Sequence, residues 1–237
     1  MGSLAGPFGT TVGTTVGAAV GALAQELCVV VLDDIAQRAL SPREEQRVAD
    51  VAALAIEAIR ERLLSETKRQ DDFFDGDADS PSPAAEVFEG VLLSAKQEHE
   101  QLKLPYLANF YSNLVFADQV KRSEANYLLS IVESLTYTQL CLLSIVSQSN
   151  RFTLRNQALR PGAIHNGESL DIIQQSLYLF QRQLLICYRE EAPGQAHEVS
   201  IVIPDHAKLT TTGIRIASLC ALQQIPKGEL IEVASRW

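Results

Sequence analysis

Residues that commonly carry chemistry are sparse in this chain of 237. It has four cysteines, four histidines, one methionine and one tryptophan, and aromatic residues make up 6%. The cysteines (Cys28, Cys141, Cys187, Cys220) lie far apart, each within an apolar segment. That spacing excludes a CxxC pair and any Cys–His set at zinc-ligand spacing. Buried, reduced thiols in a cytoplasmic protein are the expectation. His99, His165, His197 and His206 have no second histidine or cysteine three or four positions on, so no HExxH-type site is present. A GxSxG elbow, a GxxxxGK[ST] loop and a GxGxxG turn are missing too. No catalytic residue, metal or cofactor is therefore assigned, and the reading is of a non-enzymatic protein.

Positive charge is scarce in the first half. Residues 1–120 hold 19 acidic and 9 basic side chains, and residues 121–237 hold 10 and 11, giving the overall net charge of −9. Such a chain repels phosphate backbones and anionic lipid surfaces, which weighs against sequence-independent nucleic-acid binding. The start of the chain lacks a basic region followed by an apolar core and a cleavage site, so a cytoplasmic location is expected.

Glycine, infrequent elsewhere, recurs at Gly9, Gly13, Gly17 and Gly21 in a nearly uncharged stretch. On a helix this spacing makes one narrow stripe of bare backbone, on which a second helix can sit closely. A first helix over 8–39 would add an apolar stripe of Val12, Val16, Val20, Leu23, Leu27 and Val30. Four glycines and four threonines in 9–21 form helix poorly in water, so packing must stabilise it. Three readings remain: a buried intrachain helix, a seam between copies of the chain, or a membrane-active segment over Val12–Leu32. Glu26 within that span costs about 2.5–3.5 kcal/mol on insertion, which would make insertion conditional.

Helix signals dominate the middle of the chain. Ser41-Pro42-Arg43-Glu44 is a capping box, opening a helix to about Lys68 with Val48, Val51, Ala52, Ala55, Ile59 and Leu63 on one face. Residues 70–83 combine five aspartates, a glycine and two prolines and read as an exposed acidic linker or loop. Asp75, Asp77, Asp79 and Glu86 fit part of a calcium loop, but Ser80 replaces its turn glycine and prolines follow, so the linker reading is preferred. Ser82-Pro83 opens a helix bearing Val87, Phe88, Val91, Leu92 and Ala95. Pro105 allows a kink or new start before a face of Leu104, Leu107, Ala108, Tyr111, Leu114 and Val115. Ser123 caps a helix with Leu128, Leu129, Val132 and Leu135, and Thr136-Tyr137-Thr138-Gln139 is a second capping box.

The last ninety residues differ. A helix over 170–187, capped by Ser169, is followed by a strand at Val199–Ile203. Its partner is expected near Leu185–Tyr188 or Lys208–Thr210. A further helix then runs through Ile214, Ala217, Leu219 and Leu222. The order is that of a winged-helix-like unit with a small β-hairpin as the wing. Arg182, with Arg151 and Arg155 upstream, would be its nucleic-acid contacts, yet protein contact is the preferred use of such a unit. His197 and His206 are placed to meet across the hairpin.

From Glu86 on, the chain resembles bacterial Abi-alpha abortive-infection proteins. The carrying residues are EVFEGVLLSAKQEHEQLKLPYLANFYSNLVF (86–116), LTYTQLCLLSIV (135–146) and LTTTGIRIASLC (209–220). The resemblance implies a bacterial protein of anti-phage defence and transfers no functional residues.

The expected architecture is mainly α. It comprises an N-terminal glycine-zipper helical hairpin (1–69), an acidic linker (70–83), a central helical region (84–134) and a winged-helix-like region (135–237). The expected function is self-association, or association with a partner protein, through Gly9, Gly13, Gly17 and Gly21. Glu26 would gate membrane engagement on activation. A winged-helix transcription regulator is the alternative.

Overall fold

A computed structural model describes residues 28–32, 34–35, 37–38, 40–76, 80–160, 170–190 and 196–237. These fall into two compact units that divide between Glu133 and Ser134. The protein is mainly helical with a small antiparallel sheet.

In the N-terminal unit, helix α1 (Pro42–Arg62) starts at the Ser41 capping box. The Ser41 amide donates to Glu44 Oε2 at 2.7 Å, satisfying one of the amides a helix start leaves open. Its buried face is Val48, Val51, Ala52, Ala55 and Ile59. Helix α2 (Pro83–Gln97) is capped by Ser82 Oγ, which accepts from the Ala85 amide at 3.2 Å, and it buries the five expected apolar residues. Helix α3 (Leu104–Leu114) begins afresh at Pro105, whose missing N–H costs nothing in a first turn. Helix α4 (Arg122–Ser134) starts one residue before the expected cap: the Ala125 amide bonds the Lys121 carbonyl at 2.8 Å, so Ser123 lies inside the first turn.

Helices α1, α2 and α3 pack on one another, so segments 1–69 and 84–134, set apart in the sequence by an acidic stretch, share one core. An apolar helix face must be covered, and the nearest covers lie beyond that stretch. The Phe88 and Tyr111 rings meet at 4.5 Å in the core. At Gly90 a Cβ would come within 2.8 Å of Leu129 Cδ2, which marks a close approach of α2 and α4.

The C-terminal unit is built around helix α5 (Tyr137–Ser147). Its capping box forms as expected: the Gln139 amide donates to Thr136 Oγ1 (3.2 Å) and the Thr136 amide to Gln139 Oε1 (2.9 Å). Every residue from Gln139 to Val146 is buried, as for a helix apolar on all sides. Helix α6 (Leu170–Gln181), helix α7 (Thr211–Leu219) and helix α8 (Lys227–Arg236) pack on it.

The strands differ from the sequence expectation. Strand β1 (Leu185–Glu190) is central, flanked antiparallel by β2 (Ala196–Glu198) and β3 (Ala207–Leu209). Tyr188 pairs with Glu198, and Ile186 with Lys208. The helix expected to reach Cys187 ends at Gln181, because Gln183 takes φ 56° and turns the chain into β1. Val199–Ile203 is not a strand: the Val199 amide bonds the Cys187 carbonyl, and the chain then leaves β1 for a bridge between Val202 and Leu159. The two segments expected as alternative partners of that strand pair with each other.

The sheet is joined to α7 by a close contact. Thr210 Oγ1 accepts from the Gly213 amide (3.1 Å), and the Thr210 amide and hydroxyl donate to the Leu184 and Gln183 carbonyls. A Cβ at Gly213 would lie 2.3 Å from the Leu184 carbonyl oxygen, a backbone atom that cannot swing away. Gly213→Ala should therefore cost about 1–3 kcal/mol, read as a lower urea midpoint at unchanged slope, whereas Gly228→Ala, which meets open space, should not destabilise.

Candidate functional site

Residues 63–76 form a largely exposed strap over the N-terminal unit, anchored by buried Arg69 and Phe73. Helix α1 stops at Arg62, short of the expected end near Lys68. The Arg62 guanidinium turns inward over the Phe116 ring (3.9 Å) and donates to Asn113 Oδ1 at 2.6 Å. Lys68 lies over Phe74 and Arg69 over Phe73, each near 4.1 Å. Phe73 is fully buried in a short 3₁₀ turn, Asp72–Phe74.

Arg69 is the centre of this strap. Its side chain is 1% exposed, and a charge so placed is tolerated only when its donors are matched. Asp71 receives two bonds of 2.6 Å, from Nε and Nη2. The Val120 carbonyl accepts from Nη2 (2.9 Å) and the Leu114 carbonyl from Nη1 (3.3 Å). The Arg69 amide donates to the Val115 carbonyl at 3.0 Å. The carbonyls at the end of α3, open because the helix stops there, are thus capped by one residue. Lys121 Nζ adds a bond to Asp71 Oδ2 at 3.1 Å. These partners, the Arg69 guanidinium first, hold the Asp71 carboxyl well below the usual range.

Beside the strap opens a cleft of about 860 Å3 lined by Arg69, Asp72, Asp75, Lys121, Arg122 and Asn126, with Phe73 and prolines as apolar wall. Its cations are engaged: Arg69 and Lys121 with Asp71, and Arg122 with Glu86, which also accepts from Asn126. Glu86, a residue of the calcium pattern, is thereby occupied, and Asp77 and Asp79 lie outside the described residues. Among the described residues no group of three His, Cys, Asp or Glu is placed to hold a metal.

A second charge pair lies in the polar segment 97–103. Lys103, 2% exposed, bonds Glu98 Oε2 at 2.7 Å and donates to the Glu133 carbonyl at 2.9 Å. Glu98 Oε1 also accepts from the His99 and Glu100 amides. His99 itself is exposed.

Of the association residues, Gly9, Gly13, Gly17, Gly21 and Glu26 lie outside the described residues. The described continuation, 28–32 and 34–35, is helical with two faces. Cys28, Leu32 and Ile35 are buried; Val29 and Val30 are exposed. Val30, expected on the apolar stripe, therefore faces solvent. The Cys28 thiol faces the fully buried Tyr111 hydroxyl, which makes no regular hydrogen bond, and burial pushes the thiol up to about 12. Among the described residues no single helix is long and apolar enough to cross a membrane.

The three arginines proposed for nucleic acid have separate local partners. Arg151 donates to Gln148 Oε1 (2.6 Å), Arg155 to the Arg236 carbonyl (3.4 Å), and Arg182 to the Tyr178 hydroxyl (2.9 Å). His197 lies on β2 and His206 just before β3, with β1 between the two strands.

The chain matches no family model, and no curated protein or solved structure is significantly similar to it.

Arg69→Met leaves carbonyls and a carboxylate without their donor, and should cost about 3–5 kcal/mol in urea unfolding. Asp71→Asn should cost about 1–3 kcal/mol at pH 7. Because the folded carboxyl titrates below its unfolded value of about 3.9, its contribution is complete above that pH and is lost as pH falls towards the folded value. The gap between wild type and D71N should thus shrink below about pH 4; a gap independent of pH would show that Asp71 is not paired. The thiols of Cys28, Cys141, Cys187 and Cys220, all buried and outside any disulfide, should stay silent to a chromogenic disulfide reagent until the protein is unfolded.

Proposed function

We propose that this chain is a non-enzymatic interaction protein that self-associates through its N-terminal helix. The observation that carries the reading is the four-residue glycine spacing at Gly9, Gly13, Gly17 and Gly21, which suits a close helix–helix seam. It is supported by the described continuation of that segment, helical and buried along Cys28, Leu32 and Ile35. Counted at about 100° per residue on the sequence, Gly17 and Gly21 share the angular position of that buried trio. That side is covered within the chain at 28–35, where Cys28 meets Tyr111; the proposal gives the glycine stripe before it to a second copy of the chain.

In the fuller form of this proposal the helix engages a membrane on activation, with Glu26 making insertion conditional, in the anti-phage role that the Abi-alpha resemblance implies. The C-terminal unit serves as a winged-helix-like contact module, with the β1–β2 hairpin as its wing. The order α6, β1, β2, β3, α7 supports this. The engagement of Arg182 with Tyr178 favours protein over DNA as its partner.

Gly13→Leu/Gly17→Leu in the full chain tests the seam by light scattering after gel filtration. Wild type should run as an oligomer and the double variant as a monomer, with unchanged far-ultraviolet circular dichroism and urea midpoint. A wild-type monomer, or an oligomer untouched by the change, overturns the proposal. Dye release from anionic and neutral vesicles by wild type but not by the variant would extend the seam to membrane action.

A further inference from the structure

We draw no further inference here: the strongest candidate, the cleft beside the strap where the first turns of α2 and α4 meet Lys121, Arg122 and Asn126, rests on two helix N-termini and on cations already paired with Asp71 and Glu86, and among the described residues no unpartnered buried side chain lines it.

Discussion

The buried guanidinium of Arg69 joins three stretches of chain that no helix connects. It bonds the aspartate two residues ahead, the Leu114 carbonyl at the end of α3, and the Val120 carbonyl just before α4. Removing such a charge from water costs several kcal/mol unless its donors are matched, so the strap, the end of α3 and the start of α4 hold only in one mutual arrangement. The acidic character of the strap follows from this: Asp71 compensates a buried cation, and Phe73 supplies the ring beneath it. Lys103 repeats the device at the other end of α4, where it caps the Glu133 carbonyl and pairs with Glu98.

The C-terminal unit depends on packing instead. Helix α5 is enclosed on all sides, so its few polar groups need partners inside the unit. Ser144 donates to the Leu222 carbonyl at 2.7 Å and Tyr137 to Glu229 at 2.6 Å. The approach of α7 to Leu184 is closed by Gly213, where backbone meets backbone with no space for a side chain. One unit is therefore sensitive to the loss of a charge and the other to the gain of a methyl group.

These arrangements bear on function through what they occupy. In the strap Arg69 and Asp71 are engaged with each other and Lys68 with the Phe74 ring, and the thiols are buried. The segment with the clearest associative pattern is the glycine stripe, and its described continuation already has a protein-facing side.

Several helix starts and apolar faces were legible in the order of residues alone. Ser41, Ser82 and Thr136 open helices where their local patterns place them, and the faces of α1, α2 and α3 are buried as their periodicity requires, because capping and amphipathicity act within a few residues. Contacts between distant segments set the remainder. They ended α1 at Arg62, since Arg69 has to reach carbonyls about fifty residues away. They ended α6 at Gln181, where a positive φ outweighed the apolar run that reads as helix, and they gave the place beside β1 to Ala207–Leu209. They also buried Arg69, Phe73 and Lys103 within polar stretches of the chain. In each case the deciding contact lies far along the chain or runs against local composition, and a pattern counted over neighbouring residues carries no information about it.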